Sequence, residues 1–297
     1  MKSLFINAEK QVRNGWKVLG YLVMTTLCVF GLVISRRALP AGVRPFLPEP
    51  FLAFLGAIIP SWICARLERT SLADQGFALH RRVGRDFGLG AVGGALLVGL
   101  VAFGVWLLDG FHFVRAPEGA ALSIVKSAWT MLAVALFEET FFHGYAFQRA
   151  IRGLGPRWAL LLFSLFFALA HPFGEDMQGT VKLVALLNIF LAGCMLGFCY
   201  LRTGSLALPV GVHFGWNWVL GSLGFGVSGN ASKGLWMPVF HGKPIWLTGG
   251  DYGLEASAVS VGVIGLVVVG LALWKGSRAQ PDASVRVPPD ASTPAVA

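Results

Sequence analysis

Charged residues are scarce in this chain. They make up 13% of its 297 residues, whereas 55% are apolar and the mean hydropathy is +0.67. A typical soluble domain carries about 25% charged residues, so the composition excludes an ordinary soluble protein. A membrane-spanning helix needs roughly 20 apolar residues, and the sequence contains several such runs. The chain is therefore predicted to be an integral membrane protein.

Several motifs of well-known enzyme classes are also missing. The sequence contains no HExxH, no GxSxG and no GxxxxGK[ST], which excludes a zincin helix, a nucleophile elbow and a phosphate-binding loop. Residues 88–93 do spell GxGxxG, but no strand precedes them. We interpret Gly90 and Gly94 as small residues that allow close helix packing. The four cysteines lack CxxC spacing and are predicted to be apolar packing residues: Cys28, Cys64, Cys194 and Cys199.

The apolar runs predict an all-α fold, a polytopic transmembrane helical bundle of about eight spans. The runs are Val18–Ser35, Phe51–Ala65, Phe87–Leu108, Ala120 to about Arg152, Trp158–Ala170, Val181–Leu201, Ser205–Phe225 and Leu254–Trp274. Residues 1–274 are expected to form one bundle. The tail 275–297 is rich in Ala, Pro, Ser and Asp, so it is expected to be disordered and cytoplasmic.

The basic residues indicate orientation. Their net excess of +9 is spread between apolar runs and does not form a stripe with aromatic residues, so nucleic acid is not an expected partner. With an inner N-terminus and eight spans, sixteen of the 24 Lys and Arg fall on the inner side and seven on the outer side. Because cytoplasmic loops carry the excess of Lys and Arg, both termini are predicted to be cytoplasmic, in the cytoplasmic (inner) membrane.

Three polar sites interrupt the apolar runs: Glu138-Glu139, His171, and His213 with Asn217. One ionisable side chain at bilayer depth costs about 2.5–3.5 kcal/mol. Each site alone has an ordinary explanation, such as a helix cap or an interfacial position. Together they can satisfy one another's hydrogen-bonding needs, so their joint occurrence predicts a functional site.

Helical geometry suggests how these residues divide their roles. His213 and Asn217 are four residues apart and share one helix face. Glu138 and Glu139 are separated by about 100° around the helix. One of the two acids is therefore expected to face a cavity while the other supports the structure. Glu139 has His143 four residues ahead, at a spacing that allows a carboxylate–imidazole bond.

These groups suit hydrolysis of an amide. A carboxylate in an apolar site can act as general base toward water, with a histidine to orient or share the proton. A second histidine and an asparagine amide can donate to the developing oxyanion. Alternatively, Glu138, His171 and His213 are acceptable ligands for one catalytic zinc ion. The residue types leave both versions open.

Two other classes of function are also open. Intramembrane carboxylates and histidines can form the relay of a proton- or ion-coupled transporter, although the polar groups have no matching set in an inverted repeat. A catalytically silent immunity or scaffold protein is the third class. Proteoliposome uptake that depends on Glu138 would favour the transporter, and an unchanged cellular phenotype of Glu138→Gln would favour the silent protein.

Three motifs in this order resemble a known family, the CAAX prenyl endopeptidase and bacteriocin-processing (CPBP) intramembrane proteases. The motifs read Glu138-Glu139-Thr140-Phe141-Phe142-His143, Phe167-Ala168-Leu169-Ala170-His171 and His213-Phe214-Gly215-Trp216-Asn217. The resemblance covers roughly Leu122 to Phe225, the expected protease-like core. It implies an endopeptidase acting on a peptide or protein, which can be lipidated, among membrane lipids.

The resemblance also implies roles for individual residues. Glu138 and His171 would activate water, while His213 and Asn217 would stabilise the oxyanion or help to build the site. Glu139 would be the supporting acid. The family has an arginine at the position of His143, so here Glu139 lacks its permanent cationic partner. Arg149 is a candidate to supply that charge.

Overall fold

The computed structural model describes residues 2–7, 10–116, 120–171, 173 and 177–276. Helices dominate this part of the chain: α1 Lys2–Phe5, α2 Asn14–Ser35, α3 Glu49–Leu67, α4 Val83–Leu107, α5 Ala120–His143, α6 Tyr145–Leu154, α7 Pro156–Ala170, α8 Gly179–Thr203, α9 Ala207–Ser222, α10 Ile245–Thr248 and α11 Ala258–Leu273. Two strands, β1 Phe111–Arg115 and β2 Trp236–Phe240, complete it. The predicted disordered tail lies outside the described residues from position 277 onward.

The prediction of an all-α membrane bundle is confirmed. Within the described part of the chain, four helical segments are long and apolar enough to cross a membrane: Asn14–Ala38, Glu49–Leu67, Val83–Leu107 and Gly179–Thr203. The helices α7 and α11 are apolar but shorter, with 15 and 16 residues. The number of eight spans therefore stays a prediction.

The predicted continuous helix from Ala120 to about Arg152 is wrong, because it is interrupted at Gly144. The glycine leaves the helical conformation with φ −81° and ψ −130°, and its carbonyl accepts from Gln148 N at 3.2 Å as the first bond of α6. Glycine is the residue at which such a departure costs least. The break lets α6 pack against α2 and α7.

A strand, β1, lies between the third and fourth predicted spans, where the apolar runs predict only a connection. β1 pairs antiparallel with β2, in a register that places Phe111 opposite Phe240. Phe111 is 1% exposed and meets Phe225 edge-to-face at 5.1 Å between ring centroids. An aromatic ladder thus covers this end of the bundle, a contact between segments too distant in sequence for local patterns to predict.

Small residues set the position of α9. On α4, a Cβ added to Gly90 or Gly94 would collide with a carbonyl oxygen of α9, while Gly211 and Gly215 approach the α4 backbone equally closely. Because both helices carry glycines four residues apart, their backbones can touch along one line. The interpretation of Gly90 and Gly94 is confirmed, and the interlocked pair positions His213.

Candidate active site

Three helices bring the predicted polar residues to one cavity of about 430 Å³. α5 contributes Glu138, α7 ends immediately before His171, and α9 contributes His213 and Asn217. The backbone at His171 is extended, with φ −77° and ψ 131°, as expected for a residue that precedes proline. Residues separated by up to 79 positions in the sequence therefore form one site.

Glu139 lies behind the cavity wall and joins two histidines. It is completely buried. Its Oε2 lies 2.7 Å from His143 Nδ1 and its Oε1 lies 2.8 Å from His213 Nδ1. The predicted Glu139–His143 contact is present, and the second bond fixes the ring of His213. Because Nδ1 of His213 is held by the carboxylate, Nε2 is the nitrogen that faces the cavity.

His171 is oriented in a similar way by the backbone. Its Nδ1 lies 2.7 Å from the carbonyl oxygen of Phe167, one helical turn earlier. A carbonyl only accepts, so Nδ1 carries the proton in that bond. The ring also packs edge-on against Phe167, with centroids 4.5 Å apart. Nε2 of His171 is consequently turned toward Glu138.

The carboxylate of Glu138 stands between the two Nε2 atoms. Glu138 Oε2 is 3.7 Å from His213 Nε2 and 4.0 Å from His171 Nε2. This buried oxygen has no hydrogen-bond partner within the described part of the chain. The separations are too long for direct hydrogen bonds and suit a bridging water molecule. Glu138 is the cavity-facing acid and Glu139 the buried one, which is the division of positions that helical geometry predicts.

The sequence interpretation missed a third acid at this cavity, Glu255. It is 8% exposed, lies in a 3-10 turn just before α11 and lines the cavity wall. Its carboxylate accepts hydrogen bonds from Trp216 Nε1 at 3.2 Å and from Ser228 N at 2.6 Å. The detectable signal was an acid at the start of an apolar run. Glu255 falls within the predicted eighth span, Leu254–Trp274, where the sequence alone gives it no role.

Arg149 does not take the place of the missing motif arginine, so that prediction is wrong. Its Nη1 lies 3.0 Å from Glu68 Oε2, and Glu68 Oε1 binds Lys17 Nζ at 2.9 Å and Tyr145 OH at 2.8 Å. Burial raises the pKa of Glu68, but these hydrogen bonds and the charge of Arg149 outweigh it and hold the pKa below its usual range. Arg149 therefore belongs to a separate cluster outside the cavity.

The carboxylate and imidazole groups of the site are suitable zinc ligands, but the distances between them are wider than a zinc ion needs. Ligands at 2.0–2.2 Å from a tetrahedral zinc are about 3.4 Å apart, whereas the separations from Glu138 Oε2 are 3.7 and 4.0 Å. Among the residues that the structure describes, no three His, Cys, Asp or Glu side chains form a metal-binding group. The arrangement shown is thus wider than a zinc ligand set.

The fold and the site define a multi-helix membrane protein with acid and histidine side chains enclosed in its bundle. Residues 120–219 match the family model described as type II CAAX prenyl endopeptidase Rce1-like. The match covers about a third of the chain and contains all the predicted site residues, which confirms the resemblance to the CPBP intramembrane proteases there. No curated protein matches the chain. At family level, the match supports a CAAX-type intramembrane protease that acts on a peptide or protein.

Proposed function

We propose that this protein is an intramembrane endopeptidase in which Glu138 and His171 activate the attacking water. The observation that carries the proposal is the unpaired Oε2 of Glu138, which faces two imidazole nitrogens at water-bridging distances. A buried acceptor without a partner costs about 1–3 kcal/mol. A bound water would remove that cost and would stand beside a general base.

The number of protons around this water determines which atoms of the site donate hydrogen bonds and which accept them. His171 uses its Nδ1 proton toward Phe167 O, and His213 uses its Nδ1 proton toward Glu139. In neutral rings, both Nε2 atoms are then acceptors, as is Glu138. Three acceptors surround a water that has two hydrogens. One further proton, placed on His213 Nε2, gives every acceptor around the water a hydrogen and provides a donor for the oxyanion that forms next.

The proposed reaction has two steps, addition of water to the peptide carbonyl and loss of the amine. Glu138 takes a proton from water as the oxygen forms a bond to the peptide carbonyl carbon, giving a tetrahedral oxyanion. The Asn217 amide and a protonated His213 Nε2 are the donors proposed to stabilise that oxyanion. As the C–N bond breaks, a proton passes from the Glu138–His171 pair to the leaving nitrogen. The products are a carboxylic acid and an amine, and transfer of the acid's proton to the amine gives a carboxylate and an ammonium group.

Glu139 and His143 support this chemistry without touching the substrate. Because Glu139 is fully buried and bonded to His213 Nδ1, it holds the ring in place and favours one tautomer. His143 occupies the second carboxylate oxygen. We propose that this pair performs the positioning role that an acid–arginine pair has in the family.

A metal-dependent version would use the same three side chains, Glu138, His171 and His213, as ligands. Their two Nε2 atoms face one carboxylate oxygen, and this convergence is the observation in its favour. The separations are wider than a tetrahedral zinc set, so the steps above do not pass through a metal. Metal analysis of purified protein and cleavage with and without a chelator decide between the versions.

The substrate we propose is a membrane-associated peptide or the C-terminal tail of a membrane protein. Apolar side chains dominate the cavity wall, which suits a chain that enters from the bilayer: Met131, Val134, Phe167, Ile189, Met195, Leu196, Val212 and Ile264. The proposed orientation keeps both chain termini in the cytoplasm, following the distribution of basic residues.

A comparison of peptide termini in membranes tests the function. Cells would express the wild-type chain, Glu138→Gln or His171→Ala at equal membrane abundance, and new peptide termini would be identified by mass spectrometry. Glu49→Gln is the matched control, because Glu49 is an exposed acid outside the cavity, with 62% of its side chain accessible. We expect a set of termini shared by wild type and Glu49→Gln and absent from both site variants. Identical termini in all four samples would contradict the proposal.

A further inference from the structure

A second cavity, of about 720 Å³, lies where α2 begins and is separate from the candidate active site. Its wall combines two kinds of side chain. Four are basic: Arg13, Lys17, Arg149 and Arg152. Others are apolar: Trp16, Val18, Leu19, Leu162 and Phe163. Among the described residues that line it, none is acidic. The cavity therefore combines positive charge with an apolar wall.

In the part of the chain that the structure describes, the basic side chains of this cavity outnumber the acids beside them. Lys17 and Arg149 share one carboxylate, Glu68, at 2.9 and 3.0 Å. Asp74 interacts electrostatically with Arg152, although its own hydrogen bonds go to Ser71. Among the residues that the structure describes, these four basic side chains have two acidic neighbours, so two of their positive charges have no acidic partner there.

Arg149 provides an independent sign of a missing partner. The residue is 4% exposed, and its Nε has no hydrogen-bond partner in the part of the chain that the structure describes. A buried donor left unpaired is costly, more so when it is charged. The Nε atom itself is enclosed, but Arg149 lines the cavity, so a small rotation of its guanidinium would bring this donor to an anionic oxygen bound there.

The start of α2 adds a second source of donors. Asn14 and Gly15, its first two residues, line the cavity, and Arg13 makes no side-chain cap. The first N–H groups of a helix have no intrahelical acceptor, and the helix dipole adds positive potential there. A phosphate group is the anion that such a site commonly binds.

We propose that this cavity binds the phosphate headgroup of an anionic membrane lipid. The lipid source is favoured because the same cavity carries apolar side chains, with Leu19 and Leu162 48% and 50% exposed. α2 is long and apolar enough to cross a membrane, and in a membrane-spanning position its first turn would lie at the depth of the lipid headgroups. Acyl chains would lie along the apolar wall while Arg13 and Arg152 contact the phosphate. This proposal does not depend on the proposed proteolytic function.

The test measures lipid binding to purified full-length protein in micelles of an uncharged detergent. Phosphatidylglycerol, phosphatidylcholine and inorganic phosphate would each be titrated, with the thermal unfolding midpoint as readout. The site variant is Arg13→Gln/Arg152→Gln. The matched control is Arg81→Gln/Arg157→Gln, which removes two exposed basic charges outside this cavity.

We expect phosphatidylglycerol to raise the midpoint of wild type and control. The site variant should bind it roughly 30-fold more weakly, since each basic residue near a membrane contributes about 1 kcal/mol toward an anionic lipid. Equal losses in both double variants would overturn the proposal, because they would indicate a general effect of net charge. An equal response to phosphatidylcholine would overturn anionic recognition, and an equal response to inorganic phosphate would overturn the lipid source.

Discussion

The two adjacent glutamates should respond differently to the same conservative change. Glu139→Gln keeps the shape of the side chain but replaces one carboxylate oxygen by an NH2 group. The wild-type carboxylate accepts from Nδ1 of His143 and Nδ1 of His213 at 2.7 and 2.8 Å. A glutamine oxygen can accept from only one of these rings. The other ring must then accept at Nδ1 and carry its proton on Nε2.

The expected cost follows from the bond that is lost. Hydrogen bonds to charged groups contribute about 1.5–3 kcal/mol, and Glu139 is fully buried, so little solvent can compensate. For a chain of this size, that loss corresponds to a fall in Tm of about 3–12 °C. If it is also the energy that holds His213 in its active orientation, the cleavage rate falls by roughly 10- to 150-fold.

Glu138→Gln should give the opposite pattern. Its Oε2 makes no hydrogen bond to another described residue, and a glutamine can still bind the proposed water, so Tm should stay nearly unchanged. Loss of a general base lowers the rate by about 10²- to 10⁴-fold. The assays are thermal unfolding in detergent, which needs no substrate, and cleavage of a peptide identified from the membrane termini. A large Tm loss for Glu138→Gln with none for Glu139→Gln would refute the assignment of the two acids.

Four further outcomes are expected. Glu255→Gln should slow cleavage by roughly tenfold and lower Tm, because the glutamine oxygen cannot accept from both Trp216 and Ser228; wild-type values in both assays would make Glu255 a bystander. Gly215→Ala should lower the free energy of unfolding by about 1–3 kcal/mol, because the added methyl group overpacks α9 against α4. Gly99→Ala should leave it unchanged, since a Cβ at Gly99 meets open space. Equal Tm values for the two variants would refute the close packing. The pKa of Glu68 is lower in the folded state, so the stability that its carboxylate contributes is complete above the unfolded pKa of about 4.3 and is lost as the pH falls further. The Tm difference between wild type and Glu68→Gln should therefore be constant near neutral pH and disappear in acid. A difference that grows in acid would contradict this. Cleavage should survive a zinc chelator, and its loss together with stoichiometric bound zinc would select the metal-dependent version.

The candidate site could be predicted from sequence because membranes make polar residues conspicuous. Glu138, His171 and His213 stand in apolar surroundings where each is costly, so their sequence positions alone suggested that they meet. The four-residue spacing from Glu139 to His143 likewise predicted a local bond, and the bond is present. The contacts of these residues could be predicted because either the cost of burying a polar group or the periodicity of the helix determined them.

Prediction failed where the answer depended on distant contacts. Gly144 lies within a helical pattern and gives no sign of a break, because glycine is tolerated inside helices as well as at their ends. Glu255 reads as an ordinary acid at a helix start until Ser228, 27 residues away, donates to it. Arg149 was near His143 in sequence, but Glu68 on another segment takes its guanidinium.

Histidine at position 143 is compatible with the bond that orients His213. An arginine fork binds both oxygens of a carboxylate in parallel and would compete with His213 for Glu139 Oε1 unless the geometry changed. His143 contacts the carboxylate through Nδ1 alone, on Oε2, and its buried Nε2 has no hydrogen-bond partner among the described residues. Gly197 leaves room for the ring, since a Cβ there would lie 3.3 Å from His143 Nε2. The substitution therefore removes a permanent charge while keeping Oε1 available for His213, so the geometry of the site does not require the arginine.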